Sequence, residues 1–234
     1  MTGEKIIFWS SVPGLSDNIP PVRASKCVPS WWKNAPIHGD GSSPKIERTG
    51  TIKNCPGFID FFRYAYVIRM WCDSNIEIDD KGNYEWKTSD DIFSFDGHLD
   101  SQYKDHLPEY VSDNIVGVIK ANCPWKLKTP KNVSVLQLPM EYHFNQDFEV
   151  LSGIVHTDVY HDINQQMVFS KPGSYFIERG TPIAMYFPFR RDEFSLVVRD
   201  ETEEDVKNSS DYQFNILSKF TGGYKELKKK YGIK

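Results

Sequence analysis

At 234 residues the chain is long enough to bury a core of its own without disulfide or metal staples. A net charge of -4 excludes a global basic field, so nucleic acid is disfavoured as a partner. No apolar run approaches membrane-spanning or signal-peptide length, which makes a cytoplasmic protein with no membrane partner the expectation. The 15 Phe, 12 Tyr and 6 Trp tilt the composition towards β-structure. Cys27, Cys55, Cys72 and Cys123 form no C-x-x-C pair and read as buried thiols, so neither a metal nor another cofactor is expected.

In chain order, 5–12 predicts a first strand, closed by Pro13 and Gly14. Prolines at 20, 21, 29 and 36 prevent a long helix and leave 1–50 as an irregular N-terminal arm. Pro29 can open one helical turn through Trp31 and Trp32. That Trp pair is the candidate partner-binding surface, and its alternative role is to pin the arm to the body. The stretch 38–43 is a flexible loop by composition and lacks the spacing of a phosphate loop.

A helix is predicted near 54–65, capped by Asn54, with Phe58, Ile59, Phe62 and Ala65 on one face. The run 66–79 reads as a strand that turns at 79–83 and returns over 84–88 as a hairpin. The signals from 89 to 114 are mixed: a short strand around 92–96, then loops or short helices carrying His98 and His106. Strands follow at 115–129, with Pro124 marking an edge, bulge or bend, and at 133–139, which alternates with one buried face. After a loop carrying His143, further strands are predicted at 148–156, 163–169, 174–178, 182–188 and 194–199. Acidic residues over 200–206 suit the start of a C-terminal helix near 203–220, and the basic tail reads as a solvated end. The fold class expected is β-rich α+β: antiparallel sheets with a β-clip or jelly-roll-like core. One domain is expected over 1–234, with the core at 51–200 and the C-terminal helix and basic tail at 201–234.

The segment 148–191 holds the densest set of ligand-capable side chains. The candidate ligand-binding residues are His156, Asp158, Tyr160, His161, Arg190 and Arg191. His156 or Asp158 could serve as a general base, and the two arginines could meet phosphates as bidentate donors. His156-Thr157-Asp158 matches the His-x-Asp that opens the iron site of the 2-oxoglutarate-dependent oxygenases. On a strand these side chains point the same way. That site needs a further histidine downstream, and no histidine follows His161.

Gly153, Ile154, Val155, Asp158 and Ile163, followed by Gly180, Ile183 and Ala184, resemble a pair of segments in the dUTPase and dCTP-deaminase superfamily. The resemblance implies a β-clip-like hairpin that holds a nucleotide. His156 stands where that superfamily carries its water-activating Asp, and His161 stands at a family glycine. Over nearly the whole chain, PSWWK, TIKNCPGFIDFFRYAYVIRMWCD, WKLKTP, GIVHTDVY, ERGTPIAMYFPFRR and GGYKELKKK look like a family of uncharacterised proteins encoded by marine tailed phages, with bacterial relatives. That family's TPPGYS-like turn is TPKNVS here, at 129–134. The resemblance implies a viral setting, inside the host cell or in the virion. Two readings stay open. The leading one is a non-catalytic protein that binds a protein partner, whether its own copies or another phage or host protein. The alternative is an enzyme or sensor of small molecules, with a nucleotide as ligand, and the iron oxygenase is its least supported form.

Overall fold

Two long apolar runs in the sequence each become a pair of strands, because the chain crosses from one sheet to another in the middle of each. A computed structural model of the chain describes residues 4–38, 51–209, 228–230 and 232. The first run gives β3 (Tyr66–Arg69) and β4 (Ser74–Ile78) in place of one strand over 66–79. Between them Met70, Trp71 and Cys72 are all buried, which a regular strand with one wet face cannot achieve. The Met70 amide donates to the Thr181 carbonyl at 2.7 Å, and the Gly180 amide donates to the Met70 carbonyl at 2.7 Å. The second run breaks in the same way around Pro124, giving β7 (Gly117–Ala121) and β8 (Lys126–Lys128), so Pro124 marks a bend.

The remaining strands are β1 (Ile7–Trp9), β2 (Val22–Arg23), β5 (Tyr84–Thr88), β6 (Phe95–Gly97), β9 (Val133–Pro139), β10 (Glu149–Val150), β11 (Gly153–Val155), β12 (Gln165–Phe169), β13 (Gly173–Ile177) and β14 (Pro182–Arg190). Every pairing is antiparallel. The sheet orders are β11-β9-β14-β3-β2, β10-β12-β7-β6, β13-β4-β5 and β1-β8. The expected hairpin of 74–88 is present as β4 and β5. Its turn needs Gly82 at φ 78, where an added Cβ would also lie 2.6 Å from the Val116 carbonyl oxygen. The fold class is therefore the β-rich, antiparallel α+β expected.

Contacts divide the chain into two compact units, Met1–Cys27 with Tyr64–Arg191 and Val28–Arg63 with Asp192–Lys234. The first holds all the named strands. Its core takes Ile68 and Ala184 from the five-stranded sheet, Ile119 and Met167 from the four-stranded sheet, Ile76 and Ile177 from β4 and β13, and Leu127 from β8. Inside it lies a buried polar link. The Tyr186 hydroxyl donates to Gln137 Oε1 at 2.7 Å and accepts from Gln165 Nε2 at 2.7 Å, joining β14, β9 and β12. Burial raises the Tyr186 phenol well above its ordinary value, so it stays protonated and donates. Burial also pushes the Cys123 thiol up to about 12.

The helix Pro56–Tyr64, which belongs to the second unit as far as Arg63, buries Phe58 and Phe62 but leaves Ile59 exposed, a narrower stripe than expected. Asn54 does not cap it. Asn54 ends a 3₁₀ turn, and its side-chain amide donates to the Ile37 carbonyl at 2.7 Å. Trp31 and Trp32 lie in the predicted helical turn, Ser30–Asn34. Residues 203–209 are helical, at the start of the expected C-terminal helix, and 210–220 lie outside the described residues, as do 39–43 and most of the tail. The predicted strand at 194–199 does not form: among the described residues no strand pairs with it.

Tyr186→Phe removes the hydroxyl that satisfies two buried amides. Equilibrium denaturation should show a loss of about 1–3 kcal/mol with an unchanged denaturant slope.

Candidate functional site

The candidate residues gather where β9, β11 and β14 end together. The expected strand of 148–156 is interrupted at 151–152, and β11 stops at Val155. His156, Thr157 and Asp158 therefore lie in a turn, in which the Val159 and Tyr160 amides donate to the His156 carbonyl at 3.0 and 2.9 Å. Opposite them is the turn before β9. Asn132 sits there at φ 65, a left-handed conformation that Asn tolerates better than most residues.

Arg191, directly after β14, closes the arrangement. Its Nη1 donates to Asp158 Oδ1 at 2.8 Å and its Nη2 to Asp158 Oδ2 at 2.5 Å. The Asn132 amide adds a third donor to Asp158 Oδ2 at 2.9 Å, and the Asn132 carbonyl accepts from the Arg191 amide at 3.0 Å. The Asp158 side chain is only 6% exposed. The Arg191 guanidinium, with the Asn132 amide behind it, holds the Asp158 carboxyl at about 2, and Arg191 is itself shifted up.

Arg191 Nη1 also donates to Ser134 Oγ at 2.7 Å and stands 3.2 Å from His156 Nδ1. Nη1 has only two hydrogens, and the shorter contacts to Ser134 and Asp158 take them. Since Ser134 Oγ accepts from Arg191, its own hydroxyl hydrogen is directed to His156 Nδ1, 2.8 Å away. The neutral ring then carries its proton on Nε2. Beneath this layer the buried hydroxyls of Thr129 and Thr157 meet at 2.7 Å, and Thr129 Oγ1 donates to the Val133 carbonyl at 2.6 Å.

Of the six candidate ligand-binding residues, His156, Asp158 and Arg191 converge. Arg190 instead meets Glu4 at 2.5 Å on the exposed rim, an arrangement of small energetic weight. His161 faces away: its Nδ1 is 3.0 Å from the Thr157 carbonyl, and its ring stands edge-on to Trp9 at 5.2 Å. Tyr160 is exposed and lines a groove of about 550 Å³ beside β11, with His156, Asp162, Asn164 and Gln166. Asp162 there is paired with Lys126, and Asn164 Oδ1 accepts from the Cys123 amide at 3.1 Å. The candidate partner-binding pair packs in the second unit: Trp32 stacks on Phe58 at 5.4 Å and Trp31 meets the same ring edge-on at 5.8 Å.

Sequence reasoning passed over Thr129, Asn132 and Ser134. The available signal was the TPKNVS segment, a turn whose polar residues lead into the apolar strand β9. His156 and Asp158 do not make a metal half-site, because the Asp158 oxygens already face a cation. Among the described residues no group of three His, Cys, Asp or Glu side chains could hold a metal ion.

No family model matches the chain, and no curated protein is similar to it. The chain has a weak structural resemblance to a native EIAV dUTPase, with a TM-score of 0.33 and 11% identity over 60% of this chain and 86% of that one. The dUTPase of Staphylococcus bacteriophage 80alpha, in a mutant form, is similar at a TM-score of 0.33 and 12% identity, over 60% and 85%. At that level of superposition the likeness defines no shared chemistry.

Two outcomes test the geometry. Asp158 is held below its unfolded value of about 3.9, so its stabilisation is complete above roughly pH 4 and is lost as pH falls towards about 2. Melting temperatures taken from pH 6 down to pH 2 should fall through that window, and Asp158→Asn should flatten the fall. Separately, Asn132→Gly should be near neutral, whereas Asn132→Val should cost about 1–2 kcal/mol, because a β-branched residue resists the left-handed region.

Proposed function

We propose that the protein is a non-catalytic binding or assembly component, acting on a protein partner in the phage-type setting that its sequence resemblance implies. One observation carries this reading: where the candidate residues converge, the carboxylate and the guanidinium are spent on each other within the chain. Both Asp158 oxygens accept from nitrogen donors, and a carboxyl held at about 2 is a weak base at neutral pH. Ser134, whose hydroxyl meets His156 Nδ1, is completely buried and offers no nucleophile to a substrate. The side chains expected to meet phosphates are occupied as well, Arg191 by Asp158 and Arg190 by Glu4.

A second reading keeps a small molecule, such as a nucleotide, in the groove beside β11. It is supported by His156, which lines the groove while its Nδ1 is taken by Ser134, and by the exposed Tyr160 ring on the same groove.

Thermal unfolding of the purified chain against deoxynucleotides with Mg²⁺, and against Fe²⁺ with 2-oxoglutarate, separates the two. A ligand at a hundred times its dissociation constant would stabilise by about 2.7 kcal/mol. The binding and assembly reading expects no shift and no turnover. A shift abolished by His156→Ala, together with product formation, would replace it with the second reading.

A further inference from the structure

Between Arg191 and Thr202 the chain has strand-forming residues but no strand. Phe194, Leu196, Val197 and Val198 are 89%, 89%, 75% and 86% exposed. Among the described residues, 192–201 make no backbone–backbone hydrogen bond. Phe and Val favour pleated sheet, and 194–198 carries no charge. The stretch is anchored at both ends. Arg191 is fixed by Asp158, and Arg199 is paired with Asp205, whose carboxylate also accepts from the Thr202 amide at 2.8 Å.

The same chain offers one edge of matching character. Edge strands template the addition of further strands unless they are short or carry charge. The edges β1, β2, β6, β8, β10 and β11 each run three residues or fewer. The five-residue edge β5 carries Glu85 and Lys87. The remaining edge, β13, also runs five residues, GSYFI, without a charge, and its Phe176 is 66% exposed. It pairs with β4 on one side and with no strand on the other among the described residues.

We propose that residues 194–198 of one copy add as a further strand to the free edge of β13 in a second copy. The inference deepens the assembly reading and rests on it, naming a second copy of this chain as the partner. The occupant follows from complementarity. One chain carries both an uncharged, unpaired segment of strand-forming residues and an uncharged, unpaired edge of equal length. The contact joins two different surfaces, so it gives a reciprocal dimer or a ring where the rotation closes and an open filament where it does not. Backbone hydrogen bonds would supply its strength, and apolar contacts of Phe176 with Phe194, Leu196 and Val198 would select its register.

The test is sedimentation velocity of the full chain over a wide range of concentration, alongside Leu196→Glu and Phe176→Lys. Both positions are exposed, so circular dichroism and melting temperature should match the unsubstituted chain. The unsubstituted chain should self-associate, and each variant should do so at least about tenfold more weakly. An equimolar mixture of the two variants should form a one-to-one complex, because the intact segment of one meets the intact edge of the other. The proposal is overturned if the unsubstituted chain stays monomeric, if Phe176→Lys associates normally, or if the mixture stays monomeric. A monomeric chain that turns over no nucleotide overturns this contact alone and leaves the assembly reading with another partner. Nucleotide turnover removes the reading itself.

Discussion

The bidentate pairing of Arg191 with Asp158 is the interaction on which this arrangement of strands depends. A nearly buried carboxylate is costly unless its lone pairs are met by donors, and here the guanidinium and the Asn132 amide meet them together. The three groups come from three segments: the turn leading into β9, the turn leaving β11, and the end of β14. In the sheet β9 lies between β11 and β14, so one ion pair ties three neighbouring strands at the same end. Ser134 and His156 extend the tie outward and the Thr129–Thr157 contact extends it inward. The clasp ranks above the rim pair of Arg190 and Glu4 because of its burial and fork geometry, although the two arginines are adjacent in sequence.

A second tie lies deeper. Tyr186, on β14, reaches Gln137 on β9 and Gln165 on β12, and so links the five-stranded sheet to the four-stranded one through polar groups within the core. Gln165 Oε1 lies buried without a hydrogen-bond partner, so the link serves register more than stability. With the clasp at one end and this link inside, β9 and β14 are held at two points along their length.

Much of this was legible in the sequence, and the failures have physical causes. Alternation and turn residues gave the β-rich class, the hairpin of β4 and β5, and most central strands. The long runs at 66–79 and 115–129 misled because consecutive apolar residues mark a crossing between sheets as well as a buried strand. Met70 to Cys72 are buried on every side, a state that periodicity cannot distinguish. His156, Asp158 and Arg191 were found as ligand-capable residues, but their pairing with one another, and the parts of Asn132 and Ser134, were not. Arg191 and Asn132 are 33 and 26 residues from Asp158, and side-chain pairing at that distance leaves no local signal. The error at 194–199 is of another kind. Propensity there favours a strand, but no strand of the chain pairs with it among the described residues, and propensity does not supply a neighbour.

That last mismatch bears on how the chain distributes its polar groups. Charge is placed where it is consumed or where it protects: Asp158 and Arg191 neutralise each other, Lys126 takes Asp162, and Glu85 with Lys87 guards the edge of β5. Natural sheets blunt their edges in this way because an unguarded edge invites further strands. β13 and the segment 194–198 are exempt from the pattern, and they share the same lack of charge. Among the described residues the chain guards the long edge of β5 with charge and leaves β13 and 194–198 without it.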